Sequence, residues 1–168
     1  MAVLHLSEAQ RQAIRAHAER AYPQECCGLL LGWRQAAEKQ TCDLWPAQNA
    51  WDGETARSFE GLRSSQALAA GKERHFSIAP REMVQAQKSA RERQLDIIGV
   101  YHSHPEHPAV PSEFDRAIAW PEYSYPIVAV RDGRARELNG WVLAEDGTFV
   151  PEAITAAGVA AAPDGSLS

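Results

Sequence analysis

Cysteine is scarce in this chain: there are three in 168 residues, and two of them, Cys26 and Cys27, are adjacent. An odd, clustered set excludes a disulfide framework and fits a reducing compartment. Long apolar runs are missing too. None approaches the roughly 20 residues of a membrane span, and no basic stretch followed by an apolar core marks the N-terminus as a signal peptide. Positive charge is outnumbered, with 17 Lys and Arg against 22 Asp and Glu for a formal net charge of −5. That balance argues against nucleic acid or an anionic membrane as the main partner. No internal repeat appears. At 45% hydrophobic the chain can build one cored domain and is too short for two. A soluble, cytoplasmic protein is expected, with a domain over residues 1–155 and a flexible Ala/Gly/Pro/Ser tail over 156–168.

What the chain does have is histidine in one place. Three of its six histidines, His102, His104 and His107, fall within six residues. They follow the apolar, partly β-branched run Ile97-Ile98-Gly99-Val100-Tyr101, which reads as a buried strand. On a strand, residues two apart share a face. His102 and His104 therefore project together, with Cα atoms roughly 6.5–7 Å apart, while Ser103 turns the other way. Pro105, Pro108 and Pro111 forbid a continuing central strand. Ser112 then caps a short helix in which Asp115 stands near the third position and can turn back toward the strand end. A capping box, with Asp in place of the usual Glu or Gln, would by itself account for Ser112 and Asp115. It gives no reason for His-x-His at the strand end. Two histidines and a carboxylate leave one position open on a tetrahedral zinc, the pattern of a catalytic rather than a structural site.

Along the chain, Ser7 to Gln10 reads as a capping box that opens a helix with Ile14, Ala18, Ala21 and Tyr22 on its apolar face, stopped by Pro23. His17 on this helix reads as an ordinary surface residue. Cys26 to Gly32 is short and nearly all apolar, as a buried central strand should be. Thr41 to Pro46 reads as a second strand. Residues 49–74 form a polar, irregular insertion with a short helix expected around Phe59 to Ala69. His75 to Ile78 alternates like a strand, and Pro80 opens a second helix. Beyond the third helix, strands are expected at Tyr125–Val130, Leu138–Ala144 and Thr148–Val150, with Arg131-Asp132-Gly133 as a hairpin turn. The order suggests an α/β fold, a mixed sheet with helices against it.

His102-Ser103-His104, seven intervening residues, Ser112, two more and Asp115 together resemble the signature of the JAMM (MPN-type) zinc metallopeptidases. The run Pro23-Gln24-Glu25-Cys26-Cys27-Gly28-Leu29-Leu30-Leu31-Gly32 supplies the upstream glutamate of that signature as Glu25. The resemblance spans about Leu6 to about Val142. It implies a curved mixed β-sheet flanked by helices, of cytidine-deaminase-like type. It also implies one Zn2+ per chain held by His102, His104 and Asp115, with Glu25 as general base and Ser112 as oxyanion donor. His107 receives no role. The segment around Glu25 resembles compact prokaryotic members that act on small ubiquitin-like sulfur-carrier proteins, cleaving a peptide or isopeptide bond after their C-terminal Gly-Gly. The 49–74 insertion is then the candidate for substrate contact, and a homodimer stays open.

Four other readings compete. A general deubiquitinase-like isopeptidase would use the same site. A non-catalytic MPN-type scaffold would lack metal ligands, which are intact here. A thiol hydrolase built on Cys26 or Cys27 needs a depressed thiol pKa and a base, whereas alternation puts the two thiols on opposite faces. A cupin site also uses His-x-His but wants a glutamate four or five residues on, where Pro108 and Ala109 stand.

Overall fold

A computed structural model of the chain describes residues 2–52 and 71–156. Among these residues, seven strands and three helices follow one another as β1 (Val3–His5), α1 (Glu8–Ala21), β2 (Cys27–Gln35), β3 (Glu38–Ala47), α2 (Pro80–Glu92), β4 (Asp96–Pro105), α3 (Glu113–Ile118), β5 (Ile127–Arg131), β6 (Arg134–Leu143) and β7 (Phe149–Thr155). The expected short helix near Phe59, most of the 49–74 insertion and the tail beyond residue 156 lie outside the described residues.

The sheet is mixed, as expected, but it closes. Its order is β1-β3-β2-β4-β5-β6-β7, and β1 pairs in parallel with both β3 and β7. Strand β1 has only three residues, too few to show a periodicity, and both its partners lie far along the chain. Every strand sends a side chain into one core around α1. Leu4, Leu30, Ile98 and Val128 pack there with Ile14 and Ala18 of the helix, and Leu44, Leu138 and Ile154 complete the ring. The Ser7 capping box starts α1, with Ser7 Oγ accepting from Gln10 N at 3.1 Å and Gln10 Oε1 accepting from Ser7 N at 2.9 Å. Helix α2 covers the opposite face of β2 and β4, burying Ala86 and Ala90 against Leu29, Leu31 and Ile97. The alternation of Leu30 with Leu29 and Leu31, and of Ile98 with Ile97, divides each strand between the two helices.

Close approach fixes one glycine. A Cβ on Gly28 would lie 2.2 Å from the Tyr101 ring, so only glycine lets that ring cross β2. The Tyr101 hydroxyl lies 2.7 Å from His17 Nδ1. His17 is therefore half-buried and engaged rather than an ordinary surface residue, because α1 lies inside the curl of the sheet and not on top of it.

His75 to Ile78 is not a strand. The segment is held instead by Asn49, whose Nδ2 donates to His75 O at 2.9 Å and whose Oδ1 accepts from Ser77 N at 3.3 Å. Side-chain bonds here replace the ladder that the alternating pattern suggested. No helix among the described residues is long and apolar enough to cross a membrane.

Candidate metal centre

Strand β4 outruns its antiparallel neighbour. Pairing with β2 ends at Cys27 opposite His102, while pairing with β5 continues through His104 and Pro105. Pro105 is tolerated as the last residue of a strand because one side there is unpaired. That side opens into a cleft.

His102 and His104 share a face, as the period of two requires, and both are buried. Their Nε2 atoms lie 3.1 Å apart. Helix α3 brings Asp115 onto the pair, with Oδ1 3.1 Å from His102 Nε2 and Oδ2 3.0 Å from His104 Nε2. The capping box is present as well: Ser112 Oγ accepts from Asp115 N at 3.1 Å, and Asp115 Oδ2 accepts from Ser112 N at 2.9 Å. Ser103 points the other way and staples β4 to β2, its Oγ accepting from Cys26 N at 2.8 Å. The adjacent Glu25 is held by its own backbone. Its N–H donates to Lys72 O at 2.8 Å and its carbonyl accepts from Asn49 Nδ2 at 3.1 Å. Ligand atoms of Glu25, His102 and His104 all lie within 4.8 Å of one another.

These donors call for a cation. His104 Nδ1 lies 2.8 Å from the Pro108 carbonyl, an acceptor only, so Nδ1 carries the proton and Nε2 of the neutral ring keeps its lone pair. That lone pair faces a second imidazole nitrogen and a carboxylate oxygen at hydrogen-bond distance. Glu25 Oε1 is buried with no hydrogen-bond partner among the described residues, an arrangement that is costly without compensation. Two imidazoles and two carboxylates converging in a buried pocket are the donor set of a zinc-type site.

Electrostatics agree with that chemistry. Burial pushes the Glu25 carboxyl well above its usual value, the Asp115 charge adds to this, and Arg74 opposes it. Burial lowers His102 against the opposing pull of Asp115, which favours the neutral form that a metal ligand needs. For Asp115, burial works against ionisation, but His102 and His104 outweigh it and hold the carboxyl below its usual range. The thiols move away from reactivity. Burial pushes Cys26 up to about 12 and Cys27 higher still, which removes the thiol-hydrolase reading.

Several contributors to the site carry no sequence signal. Phe76 stacks on His102 with ring centroids 4.7 Å apart, and His75 stacks on Trp51 at 4.5 Å. Asn49 joins the Glu25, His75 and Ser77 backbones and accepts from Trp51 N at 3.0 Å. Asn49→Ala should cost about 2 kcal/mol or more by leaving these groups unpaired, and should lower turnover by loosening Glu25. Thermal unfolding beside a turnover assay checks this; an unchanged midpoint would show that Asn49 holds nothing.

Around Glu25 and His104 lies a cleft of about 180 Å³, also lined by Glu73, Arg74, His107 and Ser112. A second groove shares Val110 and Ser112 with it and runs to Trp141 and Phe149.

Residues 7–144 match the family model described as prokaryotic homologs of the JAB domain. A protein named desampylase from Haloferax volcanii is 30% identical over 144 residues, 82% of this chain and 88% of its own length. Tail tip assembly protein K of Escherichia phage N15 is 27% identical over 121 residues, 66% of this chain, and this chain spans only 38% of that protein. A protein of Desulfitobacterium hafniense, solved in solution, superposes with a TM-score of 0.70 at 29% identity over 92% of each chain.

Proposed function

The chain belongs to the prokaryotic JAB-domain family of JAMM-type metallopeptidases, and on that premise we propose that it hydrolyses the bond following the C-terminal Gly-Gly of a small ubiquitin-like carrier protein. The observation that carries the chemistry is the convergence of His102, His104, Asp115 and Glu25 at the open end of β4. The substrate class is carried by the likeness to a desampylase over 82% of the chain. Residues 1–155 act as one catalytic domain in this reading.

His102, His104 and Asp115 would hold the metal. A bound zinc would supply Lewis acidity, which lowers the pKa of water far enough to make hydroxide available near neutral pH. Glu25 takes the proton of the attacking water and hands it to the leaving amine, a task suited to a carboxyl whose proton affinity burial has raised. The Ser112 Oγ already accepts from Asp115 N, so its own hydrogen is free to be donated to the oxygen that gains charge. An extended tail entering along the cleft would bring its backbone close, where glycine alone has no side chain to clash.

The phage relative is named for assembly, and a scaffold role needs no metal; the intact donor set here favours catalysis. To test the reading, zinc-loaded protein is incubated with folded carrier proteins extended beyond Gly-Gly, and the products are weighed by mass spectrometry. Cleavage directly after the second glycine is expected. Changing that glycine to alanine should lower kcat/KM by about 10–200-fold, the range set by one methyl-sized misfit. Equal cleavage of the alanine form would sink the Gly-Gly reading.

A further inference from the structure

We propose that Trp141 and Glu106 are positioning residues for the metal. From opposite ends they hold the 105–111 loop so that its Pro108 carbonyl faces His104 Nδ1 and leaves Nε2 bare for the cation. The inference rests on the metal-site reading above and gives two residues outside the ligand set a task in it.

The two histidines are not equally supported. His102 pairs with Cys27 of β2 on one side and with Ile127 of β5 on the other, and Phe76 stacks on its ring. His104 lies past the end of the β2 ladder and pairs with Ala129 of β5 alone. Its ring takes its orientation from Pro108, whose carbonyl oxygen lies 2.8 Å from Nδ1. With the proton on Nε2 instead, Nδ1 would turn a lone pair onto that oxygen, acceptor against acceptor. The carbonyl therefore selects the tautomer only while it stays in place. Metal-binding histidines are commonly oriented through such a bond on the other ring nitrogen.

Three prolines stiffen the loop, but they do not tie it down. Two anchors do. At the near end Glu106 stands at φ 61°, a conformation that residues with a side chain avoid. Three hydrogen bonds hold it there. Its N–H donates to Val130 O at 2.7 Å, and its Oε1 accepts from the Tyr22 hydroxyl at 2.7 Å and from Asp132 N at 2.8 Å. At the far end Ala109 is buried in a small cluster with Ile127 and Ala129 of β5, with Trp141 of β6 packed against it. The Ala109 carbonyl accepts from Trp141 Nε1 at 3.0 Å and from Asn139 Nδ2 at 3.4 Å. The indole thus grips the chain one peptide beyond the Pro108 carbonyl. A loop fixed on both sides of that carbonyl cannot swing it off the imidazole.

The metal-free protein gives the first readout. At mildly alkaline pH, where imidazoles are neutral, long-range nitrogen–proton correlations should show His104 protonated at Nδ1 and bare at Nε2. Trp141→Phe keeps an aromatic ring against Ala109 and removes the indole donor. It should give a mixture of the two tautomers and weaken zinc binding, read by chelator competition, by about 10–100-fold, the range for a group that orients a ligand. Adding Asn139→Ala should deepen both effects. Glu106→Ala should act in the same direction from the near end. Glu106→Gln keeps a carbonyl that can accept from Tyr22 and Asp132 N, so it should restore both readings. Ile14→Val trims the core around α1 and lowers the unfolding midpoint. It should leave tautomer and zinc affinity at wild-type values, which separates positioning from a general loss of stability. Should Trp141→Phe fail to fold, the exposed Glu106 pair of variants decides alone. Three results would each overturn the proposal: a wild-type His104 protonated at Nε2, wild-type readings in the Trp141→Phe and Asn139→Ala double variant, or Glu106→Gln behaving like Glu106→Ala. Wild-type protein that takes up no zinc would instead overturn the metal reading, and the tautomer readings would still decide on Trp141 and Glu106.

Discussion

Glu25→Gln should retain zinc and the fold yet lose about 10³-fold in turnover, within the range that general acid–base catalysis contributes. The substitution keeps shape and removes only the ability to take a proton. Glu25 is 3% exposed, and one of its oxygens is buried without a partner, so ionisation there is unfavourable until a cation arrives. The metal-free protein offers an independent check. A carboxyl whose folded value is raised above the ordinary 4.5 binds its proton more tightly in the folded state. Stability of the metal-free protein must then fall as pH rises above about 4.5 and level off only beyond the raised value. Glu25→Gln should flatten that slope and unfold no earlier than the wild type near pH 7. Metal analysis separates the two roles open to this side chain: a variant that no longer holds zinc would make Glu25 a ligand rather than a base.

Much of this site could be read in the sequence because its residues are local. His102 and His104 share a face through strand periodicity alone, and Asp115 sits in a capping box whose helix starts at Ser112, both visible over 14 residues. Glu25 is different. Nothing in its own surroundings separates it from any glutamate at a strand mouth, and only the family resemblance singled it out before β2 and β4 were seen to pair. The β2–β3 hairpin escaped notice because its loop is Ala36-Ala37, with Ala36 at φ 54°, where sequence reading looks for Asn or Gly. Closure of the sheet by β1 was hidden because three residues pair with two strands far away in the chain. Asn49 acts from a polar segment with no periodicity. Its importance follows from which backbone groups it reaches, and that is a tertiary fact.

Asp115→Asn should strip the metal while leaving the helix in place. Asp115 is placed for two tasks, capping α3 and facing the two imidazoles, and its two oxygens divide them unequally. Oδ2 caps α3 by accepting from Ser112 N at 2.9 Å, and both oxygens face imidazole nitrogens at 3.0–3.1 Å. An asparagine keeps one carbonyl oxygen for the cap. It loses the negative charge, and its amide would donate toward an imidazole lone pair that the metal needs. Zinc affinity should fall by more than the roughly 10–100-fold seen when a group merely supports a ligand, and activity should fall with it. Stability of the metal-free protein should change by less than about 1 kcal/mol, because the cap survives. Ser112→Ala makes the complementary change, removing the hydroxyl that accepts from Asp115 N while the carboxylate stays. It should cost about 1 kcal/mol of stability, keep zinc and lower turnover less than Glu25→Gln does. Competition with a zinc-sensitive chelator, run beside thermal unfolding, reads both effects at once. An Asp115→Asn protein that still binds zinc as tightly as the wild type would mean that Asp115 is a helix cap and nothing more.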